Sequence, residues 1–318
     1  MKSSSIKTQN NQVMPAGSRL WTPEKIGNDL VYWLQPSKIK ANTGTGSSIL
    51  NTNKWIDSSF NGYETGPPTD QQFSSIGGCE FVDTGFTFGT QNAKTFPTLK
   101  SNNGSQHGGC ASFKDSDAPR IDPGTGAFTI IAVCRIERSA SETVPYSGTT
   151  LTLSSDGNGT SAASRFIFQL GIYSNSSTDP SILTIGCTCG SSGVHHTIQS
   201  KSGNSQVFDD SDFMFAYDRD GSGNAELFKD GASVATATGH DADMADTGPR
   251  NFFGQVATQV AGFIYGSDNG SHRMAEVICF NNADATTRIL CEGYLAHKYG
   301  RQNTLASSHK YRYGPPRF

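Results

Sequence analysis

Met274-Ala275-Glu276-Val277-Ile278-Cys279-Phe280-Asn281 is an extended apolar run, and three residues later it leads into Asp284–Gly300, a stretch with helical periodicity. The first piece reads as a strand, because a short, nearly unbroken apolar run with Val, Ile and Phe suits a buried ladder position. In the second piece Asp284 stands where an N-cap belongs. Arg288, Cys291, Glu292, Leu295 and Tyr299 recur at helical spacing, with Ile289 and Ala296 beside that row, and Gly300 stands at C′. The expectation is one substantial helix over 285–299 behind a terminal strand. Gly293 lowers helix propensity, and the reason expected for it is a close approach of the helix to a sheet.

Outward from this pair the chain reads as strands. Phe128-Thr129-Ile130-Ile131-Ala132-Val133-Cys134-Arg135-Ile136 has the continuous apolarity of a strand buried on both faces. Further strands are expected at 165–173, 182–187, 213–217 and 263–266. Ala225–Ala235 contains Asp230-Gly231, a two-residue hairpin turn between two short strands. Near the start, Thr22-Pro23-Glu24 opens a short helical turn, and Leu30-Val31-Tyr32-Trp33-Leu34 is a strand that Pro36 should stop. Gly109–Phe113 reads as a short strand. Between Gly62 and Asn103 turns dominate, and Phe81, Phe86, Phe88 and Phe96 are expected to pin loops to the body.

Composition agrees. Of 318 residues, 35% are hydrophobic, 17% are charged and 35 are Gly, a balance that suits many short strands joined by polar turns. The net charge of −3 provides no basic excess for neutralising phosphates, which excludes nucleic acid as the expected partner. No apolar run reaches the ~20 residues of a membrane helix. Residues 1–20 are polar and lack the apolar stretch of a secretory signal. Most of the seven cysteines, Cys134 among them, lie among strand-forming residues and read as reduced core thiols rather than a disulfide framework.

Several segments together resemble the concanavalin A-like, laminin-G-like domains of marine bacteria and their phages. They are Trp21-Thr22-Pro23 with Leu30–Leu34, Lys54-Trp55-Ile56-Asp57-Ser58, Thr95-Phe96-Pro97-Thr98-Leu99, and Tyr217-Asp218 with Leu227–Gly231. The most specific is Met274–Asn281 followed by Glu292-Gly293-Tyr294-Leu295-Ala296-His297-Lys298-Tyr299-Gly300, His309-Lys310-Tyr311 and Pro315-Pro316. The resemblance implies an all-β fold, a two-sheet antiparallel jelly-roll sandwich with one C-terminal helix. On that reading residues 1–20 are an extended arm, 21–302 the sandwich, and 303–318 a tail. The fold alone implies no single function. The expected role is a non-enzymatic structural component of a phage virion (head decoration, tail or fibre), made in the host cytoplasm and touching host surface glycans. The alternative is a carbohydrate-binding adhesion module of a bacterial surface protein. The arm and the basic-aromatic tail are expected to dock onto other virion proteins, within a homo-oligomer, with neither nucleic acid nor membrane as partner.

Each candidate site has a plainer reading beside it. The Glu-x-Asp-x-x-Glu strand of some enzymes of this fold is absent, as are a Gly-x-Ser-x-Gly elbow and His-Glu-x-x-His, so no catalytic set is expected. Glu276 is an isolated acid with a structural reading. Asp218, Asp220 and Asn224 in Asp218-Arg219-Asp220-Gly221-Ser222-Gly223-Asn224 place oxygens at alternate positions, as a calcium loop does, but Asp, Gly and Asn also make ordinary turns. Calcium is therefore the one cofactor considered. Cys187-Thr188-Cys189 with His195-His196 offers soft ligands, but its cysteines are too closely spaced for most zinc sites. Trp21, Trp33 and Trp55 are expected in the core, and no ligand-binding residue can be named from sequence.

Overall fold

The computed structural model describes residues 19–40, 54–59, 64–66, 79–88, 94–101, 111–113, 126–137, 148–154, 166–174, 183–191, 194–199, 212–241, 251–253 and 271–317. Among them the protein is mostly β, with an antiparallel sheet of six strands and a single C-terminal α-helix. The six strands, in spatial order, are β1 (Leu30–Lys40), β16 (Ser271–Phe280), β7 (Phe128–Glu137), β12 (Asp212–Arg219), β13 (Ala225–Lys229) and β14 (Ala232–Ala237). From β1 the pairing path continues through β2 (Lys54–Asp57), β3 (Glu64–Gly66), β6 (Ala111–Phe113), β15 (Asn251–Phe253), β8 (Gly148–Ser154), β9 (Phe166–Ser174), β10 (Leu183–Ser191) and β11 (Val194–Gln199). The hairpin of β4 (Cys79–Phe88) and β5 (Lys94–Ser101) joins beside β16.

Alternation along the central strands sorts their side chains. One face of the sheet carries Trp33, Ile131, Val133, Met214, Ala216, Ile278 and Phe280 into a core closed by Cys291, Leu295 and Tyr299 of helix α1 (Ala285–Lys298) and its C-cap. The opposite set, including Tyr32, Ile130, Ala132, Phe215, Tyr217, Val277 and Cys279, is buried just as completely. That two-sided burial is why β7 and β16 read as unbroken apolar runs.

The helix matches expectation: the Asp284 carboxylate accepts from the Thr286 and Thr287 amides, and Gly300 takes φ +68° beyond the last turn. The Asp230-Gly231 turn also matches, with φ +48° and +75°, the two positive angles of a type I′ hairpin. Cys134, Cys279 and Cys291 are buried free thiols, and Trp21 and Trp33 lie in the core. The 263–266 strand and the 1–18 part of the arm fall outside the described residues, as does the side chain of Trp55.

Three expectations are corrected. β1 is not stopped at Pro36 but continues to Lys40. Pro36 falls where pairing lapses on both sides, since the pairs with β16 end at Leu34 and those with β2 skip from Leu34 to Ile39, so its missing N–H breaks no ladder bond. The four phenylalanines of the 62–103 region are not on loops: Phe81, Phe86 and Phe88 lie on β4 and Phe96 on β5, paired along most of their length. Nor does Gly293 serve a close approach to a sheet. A Cβ there would lie 2.6 Å from Cβ of Tyr311, so the helix is notched to admit the chain's own tail.

Candidate functional site

The segment after the helix, Arg301 and Gln302 followed by the tail to Arg317, folds back over α1. Arg301 Nη2 donates to Asp230 Oδ1 at 2.9 Å, and Arg301 Nη1 lies 3.5 Å from Asp212. His309 packs over Gly231 and meets Glu292 Oε2 at 3.1 Å. His297 Nε2 lies 2.7 Å from the Tyr311 carbonyl, Arg312 reaches the Leu305 carbonyl, and the Trp21 amide donates to the Pro316 carbonyl at 3.0 Å. The inner side of the tail is thus bound to its own domain, and only an outer side with Lys310 and Tyr313, the latter 88% exposed, faces away.

Beneath the tail, charged residues tie helix to sheet. Glu276 is fully buried. It accepts from Trp33 Nε1 at 2.7 Å and from the Tyr299 hydroxyl at 2.8 Å, and it pairs with Lys298 Nζ at 2.6 Å. Lys298 also donates to the Tyr294 hydroxyl at 2.9 Å. Both oxygens of that carboxylate are met by donors, so the structural reading of Glu276 stands.

The second lock opens onto a cleft. Arg288, on the first turn of α1, lies 3.5 Å over the Phe228 ring, pairs with Asp218 Oδ2 at 2.7 Å and donates to Glu292 at 2.7 Å. Two carboxylates therefore share its charge. Asp218, near the end of β12, stands on the wall of a cleft of about 500 Å³. The β12–β13 turn, β14 and the start of α1 form the rest, with Asp220, Asn224, Glu226 and Arg288 as its other ionic and amide groups, and small Ala and Thr side chains between them. Small residues keep the cleft open where larger ones would fill it.

Within the cleft the carboxylates differ. Asp220 Oδ1 accepts from the amides of Ser222 and Asn224, both at 2.8 Å, and Oδ2 from the Asn224 side-chain amide at 2.7 Å. Those bonds hold its carboxyl below the ordinary range. Asp218 is pushed up to about 7 by burial, against the opposing pull of Arg288. Its second oxygen, Oδ1, is buried, and the Thr129 hydroxyl, which donates to the Asn282 carbonyl at 2.7 Å, lies against the carboxylate and favours its ionised form. Asp218 and Glu226 are directly opposed in the β12–β13 ladder, an arrangement that costs energy for like charges.

Asp218, Asp220 and Asn224, the calcium candidates, thus line one cleft, but Asp220 and Asn224 spend their side chains on each other. Among the described residues no group of three or more His, Cys, Asp and Glu side chains converges as a metal site would require. Sequence reasoning missed Glu226 and Arg288 as members of this site. The alternate oxygens of the 218–224 turn gave no hint of them, whereas the hairpin register, once drawn, places Glu226 across from Asp218. The Cys187, Cys189, His195, His196 cluster lies on the β10–β11 hairpin, where Cys189 stands opposite His196 and Cys187 opposite the buried Ile198.

No protein-family model matches the chain, and no curated protein matches it. Solved structures do. The binding domain of Paraclostridial mosquitocidal protein 1 superposes with a TM-score of 0.52 at 12% identity, over 84% of this chain and 51% of that one. The likeness is one of fold. The binding domain of botulinum neurotoxin DC, solved in complex with SialylT, gives 0.51 at 12% identity over 84% and 52%. The botulinum neurotoxin serotype G binding domain gives 0.50 at 14% over 88% and 53%. The chain spans about half the length of each of these structures.

Proposed function

We propose that this chain is a non-enzymatic, two-sheet β-sandwich that binds glycans, and that it does so as a structural component of a phage particle. Support for two layers comes from the central sheet, whose strands are buried on both faces, and from the approach of β11, at one end of the pairing path, to β13 and β14 at the other. The observation that carries the glycan reading is the polar cleft beside Asp218. Carboxylate and amide groups on a sheet and a helix end, spaced by small residues, present acceptors and donors to the hydroxyls of a sugar. A structural neighbour bound to SialylT adds weight. The non-enzymatic reading rests on the absence from the sequence of the catalytic motifs sought, and is supported by the clamping of Asp218 by Arg288 and of Asp220 by its turn.

The phage setting rests on the sequence resemblance and on the exterior use of such folds. The test has two parts. The purified chain should bind members of a glycan array without releasing cleaved sugar, and mass spectrometry should find it in purified particles. Absence of array binding overturns the glycan reading. Binding combined with absence from particles favours a bacterial surface module instead.

A further inference from the structure

We infer that Lys298 and Gln35 become joined by an isopeptide bond, which the protein forms by itself with Glu276 as the proton carrier. An amine, a carboxamide and a buried acid, the groups such a reaction needs, meet at one point. Lys298 Nζ lies 2.6 Å from Glu276 Oε2 and 3.5 Å from Gln35 Oε1. Strand register brings the carboxamide and the acid together. Leu34 of β1 pairs with Val277 of β16, and Gln35 and Glu276 follow one residue further along each antiparallel strand. Lys298 reaches both from the last turn of α1. The carboxamide is held as well, because Gln35 Nε2 donates to Ser58 Oγ at 2.9 Å.

The surroundings suit acyl transfer. Glu276 is fully buried, and the rings of Trp33, Tyr294 and Tyr299 stand around Nζ with centroids at 6.0, 5.2 and 5.8 Å. Those rings limit the access of water, which would otherwise compete with the amine. Burial pushes the Tyr294 and Tyr299 hydroxyls up, so both stay protonated. That leaves Glu276, among the described residues, as the base in contact with Nζ. The reaction begins when the Lys298 ammonium passes a proton to Glu276, since a lysine amine is a nucleophile once neutral. Nζ then attacks Cδ of Gln35, the carbon one bond from Oε1, from a separation of about 3–3.5 Å. The Nζ–Cδ bond forms and the Cδ–Nε2 bond breaks. Nε2 takes one proton from Nζ and the one held by Glu276, and departs as ammonium. Glu276 ends as the carboxylate it was, and the chain has lost one ammonia. Gln35 and Lys298 are only part-buried, which gives the ammonium a way out. The contacts that already tie helix to sheet thereby gain a covalent link between α1 and β1.

Mass spectrometry of the full chain, denatured before measurement, tests this. The intact mass should fall below that of the sequence by one ammonia, about 17 Da. Trypsin should release a branched peptide that joins residues 26–38 to residues 289–301 through Gln35 and Lys298. Lys298→Arg and Gln35→Ala should each return the full mass of their sequence. Glu276→Gln, with a circular dichroism spectrum like the parent's, should yield the two peptides separately. Should that variant fail to fold, the peptides of the parent chain still decide the matter. An undiminished parent mass with the two peptides separate overturns the inference, and so does an ammonia loss that maps to other residues. A branched peptide that forms as fully in folded Glu276→Gln as in the parent overturns the part given to Glu276.

Discussion

Asp218 shows how one residue acquires its chemistry from position. Burial penalises its ionised form more than Arg288 rewards it, so the carboxyl titrates near 7 rather than at its ordinary 3.8. The folded protein therefore holds this proton more tightly than the unfolded chain does. This group's contribution to stability is greatest below about pH 4, declines as the pH rises towards 7, and is constant above that. The groups facing it are Arg288 and Glu292 from α1, Thr129 from β7 and, across the ladder, Glu226 from β13. The ¹³C carboxyl resonance of Asp218 should accordingly titrate close to pH 7. Asp218→Asn should gain stability relative to the parent between about pH 5 and pH 8 in urea titrations. A resonance that titrates near 4 would show that Arg288 outweighs burial.

At the scale of elements the tail is the informative case. Basic and aromatic residues at 309–313 read as a docking segment, but His309 and Tyr311 are spent on α1 and the hairpin turn. Two changes separate these roles. Removing residues 303–318 strips His309 from buried Glu292 and takes away buried Leu305, and should cost at least about 3 kcal/mol, as losing a hydrogen bond to a buried carboxylate together with a buried leucine does. Gly293→Ala adds a methyl 2.6 Å from Tyr311. Its overpacking cost of about 1–3 kcal/mol should exceed the ~1 kcal/mol gained in helix propensity. Both should lower the melting temperature of the isolated chain. If the truncated chain melts unchanged, the tail is held only loosely and its docking role returns.

For the whole molecule, strands dominate: among the described residues the one α-helix is 14 residues long, in a chain of 318. Circular dichroism should therefore show helix well below the third typical of soluble proteins, and a spectrum above that level would contradict the architecture. The long pairing path also explains why many of the strands were hard to foresee. β4, β5, β8 and β11 carry Thr, Ser, Gly, Lys or His at many positions, so their local signal is that of loops. They are strands because neighbouring strands offer them ladders, some from far away in sequence.

The sequence by itself determined the features that close within a few residues. Asp284 and Gly300 mark the helix ends, Asp230-Gly231 makes the type I′ turn, and the apolar runs of 128–134 and 274–280 become the buried centre of the sheet. Each depends on local backbone geometry or on the period of the pattern, which the order of residues carries directly. Only the tertiary structure decided the use of the charged groups. Arg288 and Glu292 sit on the helical row with Leu295, where spacing alone could not distinguish solvated charges from buried ones. They are buried because Asp218 and His309 arrive from other elements to pair with them. The same holds for the cleft: Glu226 faces Asp218 through strand register, and the start of α1 is brought beside them by packing on β7 and β12. A buried charge is tolerated only when its partner is in place, and partners separated by dozens of residues are chosen by the fold.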